Sequence, residues 1–96
     1  MPPKDPIRFT CEYLYAGTQA AGAVAAALNG AVDLEVQEVK VQADPDNAQD
    51  VFVGNANAQP YQLNAGDEVQ IRINNVAKIY IQAPAGAPVV NWLAWK

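Results

Sequence analysis

From Asp33 onward, apolar and polar residues alternate with a period of two, the signature of half-buried β-strands. In "LEVQEVKVQA", Leu34 and Val36 share one phase while Val39, Val41 and Ala43 hold the other. The slip at Gln37–Glu38 predicts a β-bulge or a break between two short strands. "VFVGN" places Val51 and Val53 inward and Phe52 outward, with Gly54 as its end. "VQIRI" puts Val69, Ile71 and Ile73 inside and leaves Gln70 and Arg72 wet. "VAKIYIQA" turns Ile79 and Ile81 in and Tyr80 out, and "VVNWLAW" closes the chain as a strand that is apolar on both faces. Between these runs lie "DPDNAQD", "LNAGDE" and "PAGAP", compositions that favour turns.

The first third is less regular. "MPPKDP", residues 1–6, predicts an extended N-terminal arm, because proline holds itself and the residue before it in extended backbone. "IRFTCEYLY" then alternates, with Ile7, Phe9, Cys11, Tyr13 and Tyr15 on one face, and predicts a strand in which Cys11 is a small core residue. Residues 16–30 are rich in Ala and Gly. The alanines, a Thr18 cap and an Asn29–Gly30 stop favour a short helix; Gly22 weakens it, and an extended segment of small side chains packed on a neighbouring subunit competes.

Short strands separated by Gly, Pro, Asn and Asp turns predict an all-β fold, a small antiparallel sandwich or barrel spanning residues 7–96. Ninety-six residues limit how much surface one core can bury. Alanine supplies 18 of the hydrophobic residues, which thins that core further. Small domains are reinforced by disulfides, metals or oligomerisation. Cys11 is the single cysteine and there is no histidine, so oligomerisation is the reinforcement expected, with no cofactor.

The net charge is −4, and the six basic residues are scattered, which argues against nucleic acid as a partner. No apolar run approaches the roughly 20 residues that cross a bilayer, and the start lacks a signal peptide's apolar stretch. A soluble chain made in the cytoplasm is expected. Without serine or histidine, Ser–His and Cys–His nucleophile pairs are excluded. Asp44, Asp46 and Asp50 are spaced like part of a calcium loop, but the glycine and the distal glutamate of such a loop are missing. Asp67–Glu68 reads as a solvated turn pair, and the glycines lack phosphate-loop spacing. The expectation is a protein without enzymatic activity.

What remains is surface. Phe52 and Tyr80 lie opposite their aliphatic neighbours, and Trp92 and Trp95, three apart in a strand, point to opposite faces. At most one tryptophan fits the domain's own core. These four are the candidate contact or core residues.

The order and spacing of several motifs resemble a small β domain found in tailed-bacteriophage virion proteins. Val39, Val41, Ala43 and Asn47 match an alternating strand and its Asn-containing turn, and Val51–Gly54 match the V-[YF]-V-G strand that follows. Leu63, Gly66 and Val69–Ile73 match a Leu-x-x-Gly-[DE] turn with its strand; Asn75–Ile81 and Trp92–Leu93 match the closing elements. The resemblance covers residues 39–95 and carries no catalytic residues. It implies a capsid decoration (cement) protein on the outer capsid surface, with the major capsid protein and copies of itself, as a homotrimer, for partners. A tail, neck or fibre-attachment role is the nearest alternative. A receptor- or glycan-binding module, with "GNANAQPY" lining its surface, is the next.

Overall fold

The computed structural model describes residues 12–96. Eight strands form two four-stranded antiparallel sheets packed face to face. They are β1 (Leu14–Ala20), β2 (Ala26–Ala27), β3 (Glu38–Ala43), β4 (Val51–Gly54), β5 (Tyr61–Leu63), β6 (Glu68–Arg72), β7 (Tyr80–Gln82) and β8 (Val89–Trp95). One sheet has the order β1-β8-β3-β6 and the other β2-β7-β4-β5. The chain changes sheet at every connection except the β4–β5 hairpin, so most turns tie the two layers together. The all-β expectation holds.

Alternation sets which residues form the core. Val39, Val41 and Ala43 of β3, with Ala94, Trp92 and Val90 of β8 beside them in the same sheet, face the other sheet, which supplies Val51 and Val53 of β4 and Ile81 of β7, and all are buried. Leu28, Leu63, Val76 and Ile79 fill the ends. Among the described residues no polar or charged side chain is buried, so dehydrating this core leaves no unmatched polar group behind. The predicted break at Gln37–Glu38 is present: β3 starts at Glu38, and Glu35 forms an isolated bridge with Asn75. Asn75 pins that detour. Its Oδ1 accepts from the amides of Leu34 (3.1 Å) and Ala77 (2.9 Å), and its Nδ2 donates to Asp33 (3.1 Å).

Residues 16–30 depart from the helical expectation. Residues through Ala20 lie in β1, Ala26–Ala27 form β2, and Leu28–Ala31 make a 3-10 turn broken by left-handed Asn29 and Gly30. Seven consecutive main-chain pairings to β8 outweigh a modest alanine preference for helix. Cys11, the arm over residues 1–6 and the start of the predicted first strand lie outside the described residues. Two smaller corrections follow. Val76–Lys78 is a 3-10 turn capped by Asn75, so the seventh strand begins only at Tyr80. Tyr61–Leu63 is a strand that the pattern, three residues long and preceded by Pro60, does not reveal.

Candidate functional site

The four candidate aromatics do not converge. Trp92 is core, 6% exposed, with its indole lying over Gly17 of the neighbouring strand. A Cβ built on Gly17 would stand 2.6 Å from Trp92 Cε2 and Cζ2, so glycine is what makes room for the ring. Trp95 takes the opposite face, outside the β1 sheet, between Leu14 of β1 and Glu38 of β3. Phe52 and Tyr80 are half-buried on the outer face of the other sheet. Phe52 pairs with Gln62 and Gln82, whose amides are held by Asp50 (2.6 Å) and the Ala23 carbonyl (2.9 Å). A spacing of three residues in a strand sends the two tryptophans to opposite faces without fixing which is inside.

The ladder registers place a divided surface on the outside of the β1 sheet. Reading across β1, β8, β3 and β6, one row is Leu14, Trp95, Glu38 and Arg72; the next is Ala16, Leu93, Lys40 and Gln70. Thr18, Asn91, Gln42 and Glu68 follow, and Ala20 with Val89 ends the β1–β8 side. The β3–β6 half is charged and internally paired: Lys40 meets Glu68 at 3.4 Å, and Gln70 donates to Glu38 at 3.0 Å. The β1–β8 half is apolar apart from Thr18 and Asn91, which bond to each other at 3.1 Å. Leu14 is 65% exposed there. This half is an apolar strip with no cover among the described residues.

A second surface opens where β5 and β6 end their sheets. Val69, Ile71 and Ile73 point inward as predicted, yet they are only half-covered, because the three residues of β5 cannot roof the five of β6. The gap is a groove of about 440 Å3 lined by these side chains with Val53, Pro60, Tyr61 and Ile79. Lys78 at its rim donates to Asn74 at 2.9 Å. Asn55, which sequence made a candidate for glycan contact, is committed to its own loop. Its Oδ1 accepts from Asn57 N (2.9 Å) and Ala58 N (3.0 Å).

The acidic turn is structural in the same sense. Asp44 accepts from the Asp46 amide (2.9 Å) and from Asn91 Nδ2 (3.1 Å). The Asp46 amide first, and the Asn91 side chain second, hold the Asp44 carboxyl below its ordinary range. Asn47 binds the main chain of Val89 twice, at 2.9 and 2.8 Å, standing beside β8 where β3 has ended. Among the described residues no cluster of metal-binding side chains occurs. Comparisons with family models, with curated proteins and with solved structures found no match.

Proposed function

We propose that this chain is a structural protein of a tailed-bacteriophage particle, a decoration protein that binds the outer capsid surface and clamps neighbouring capsid subunits. One observation carries the contact role: the apolar strip of Leu14, Ala16, Ala20, Val89, Leu93 and Trp95 beside a charged half that is already paired with itself. Such a strip gains free energy when a partner covers it, at about 25 cal/mol per Å2 of apolar area removed from water. The virion setting rests on the motif order over residues 39–95. An acidic surface suits a protein that must stay off packaged DNA.

The test is quantitative mass spectrometry of purified particles of the virus that encodes the chain. A copy number comparable to that of the major capsid protein supports the decoration reading. About a dozen copies moves the chain to a tail or neck, and absence from the particle removes the virion reading. On particles, Trp95→Ala is expected to weaken attachment without unfolding the protein.

The groove between β5 and β6 favours a second reading, a module that binds a ligand with an apolar face against Tyr61. Its walls offer few polar groups to orient a sugar, so it ranks below the contact role. Glycan-array binding by the free protein would reverse that order.

A further inference from the structure

Among the described strands the sandwich has four sheet edges, and they are not protected alike. β2 is two residues long and β5 three, too short to template another strand. β6 carries Glu68 and Arg72, charges of the kind that blunt an edge. β1 has none of these devices. It runs seven residues in unbroken register with β8 and contains no charge and no proline. Indeed no charge occurs from Tyr13 through Val32. The same stretch supplies Leu14, Val24 and Val32, which are 65%, 81% and 63% exposed.

The ladder also tells which main-chain groups that edge presents. Tyr13 and Lys96 exchange both hydrogen bonds (2.9 and 3.1 Å), and Ala21 donates to the Pro88 carbonyl (2.8 Å). Odd-numbered residues of β1 therefore turn their N–H and C=O towards β8, because bonded pairs alternate in an antiparallel ladder. Leu14, Ala16, Thr18 and Ala20 turn theirs outward, and no described strand takes them.

We propose that two copies of this chain pair antiparallel through their β1 edges, about a two-fold axis at Gly17, into one continuous eight-stranded sheet. Centring on Gly17 uses the whole strand. Leu14 then faces the partner's Ala20, and Ala16 faces the partner's Thr18, so every outward-bonding residue meets another. Four such pairs exchanging two bonds each give about eight main-chain hydrogen bonds, within the range of roughly 10 ± 5 for a specific interface. Inner and outer faces stay in phase, so Gly17 opposes Gly17 and no large side chain meets another on the outer face. The apolar strips of the two copies become a single band across β8, β1 and their symmetry mates. One edge pairs once, so the closed assembly is a dimer and replaces the trimer that the family resemblance implies. The pairing is independent of the virion reading.

The full chain is examined by light scattering on a sizing column, with amide hydrogen exchange on the same sample. The expected mass is twice the 10.3 kDa of the chain, with protection of the Leu14, Ala16, Thr18 and Ala20 amides that fades on dilution. Ala16→Pro removes one outward N–H and leaves the bonds to β8 intact, since proline is tolerated on an edge strand. It is expected to halve the mass while the far-ultraviolet circular dichroism stays that of the wild type. Ala16→Lys places a charge on the exposed outer face near its own symmetry mate and is expected to do the same; it decides the matter if the proline variant does not fold. A wild-type monomer, a trimer, a dimer that survives folded Ala16→Lys, or outward amides that exchange freely in the dimer would each overturn the proposal.

Discussion

Replacing Gly17 with alanine tests how the sandwich closes over Trp92. The two residues are direct partners in the β1–β8 ladder, and both project inward. The new methyl would sit 2.6 Å from two indole carbons, whereas carbon atoms in contact prefer about 3.5–4.0 Å. The ring must therefore retreat by about 1 Å, although it is 6% exposed and backed by the core. Overpacking of this kind costs about 1–3 kcal/mol. Alanine also restricts the unfolded chain, which returns about 0.4–1 kcal/mol. The net expectation is a loss of about 1–2 kcal/mol, which lowers Tm by roughly 5–15 °C in a domain of this length.

Thermal and urea unfolding followed by circular dichroism measure that loss. The mechanism is isolated by a cycle with Trp92→Phe, which removes the indole Nε1 and Cζ2 that the methyl would strike. In the phenylalanine background, Gly17→Ala should cost about 1 kcal/mol less than in the wild type. A Tm that is unchanged or raised by Gly17→Ala alone would refute the steric argument. So would additivity of the two substitutions within about 0.5 kcal/mol.

Three further outcomes are expected. In Gly54→Ala the added Cβ overlaps the Ala58 carbonyl and lies 2.7 Å from Gln59 Cα, so the obstacle is main chain that cannot rotate away; the urea midpoint should fall at least as far as for Gly17→Ala. Asn47→Ala removes both bonds to Val89 and leaves that amide without its partner, a loss of about 1–3 kcal/mol read from the same unfolding curves. The lowered Asp44 carboxyl stabilises the fold above its ordinary value near 3.8, and that contribution is lost as pH falls through this value towards the lowered one. Asp44→Asn should therefore be less stable than the wild type at neutral pH and show a flatter decline of Tm on acidification.

Much of this fold was legible in the pattern, and the exceptions have physical causes. β3, β4 and β6 alternate aliphatic with polar or aromatic side chains, so their inward faces follow from the residues themselves, whereas β8 is apolar on both faces and its inward side does not. β1 does not announce itself, because its inward positions are Tyr15, Gly17 and Gln19. The volume a core aliphatic would occupy at Gly17 is filled from next door by Trp92. Gln19 bridges the layers, donating to Ala27 O at 2.9 Å and accepting from Gly30 N at 3.3 Å. A strand whose inner face is completed by other elements carries no period of its own. The groove is not legible in the sequence for a different reason: it arises from unequal lengths of β5 and β6, and alternation predicts direction without predicting cover. The run from Tyr13 to Val32 carries no charge, but only the ladder shows that β1 within it forms a sheet edge.

Among the described residues, the fold's own needs account for the inner face of β1 and leave its outer face unaccounted for. Gly17 has to be small because the indole occupies its place. No described residue imposes such a constraint on Leu14, Ala16 or Ala20, whose side chains stand exposed on the other face. Lysine or glutamate would fit at any of them, would raise solubility, and would defend the edge as Glu68 and Arg72 defend β6. A chain that stayed alone gains nothing from apolar residues at these three positions and risks aggregation through them. In the proposed β1–β1 pairing small or apolar residues suit these positions, because Leu14 faces the partner's Ala20 and Ala16 the partner's Thr18, where a charge would find no counter-charge across the seam. The composition of this one strand therefore separates into two halves with different causes. The inward half answers to Trp92, and the outward half is what the proposed β1 pairing would require.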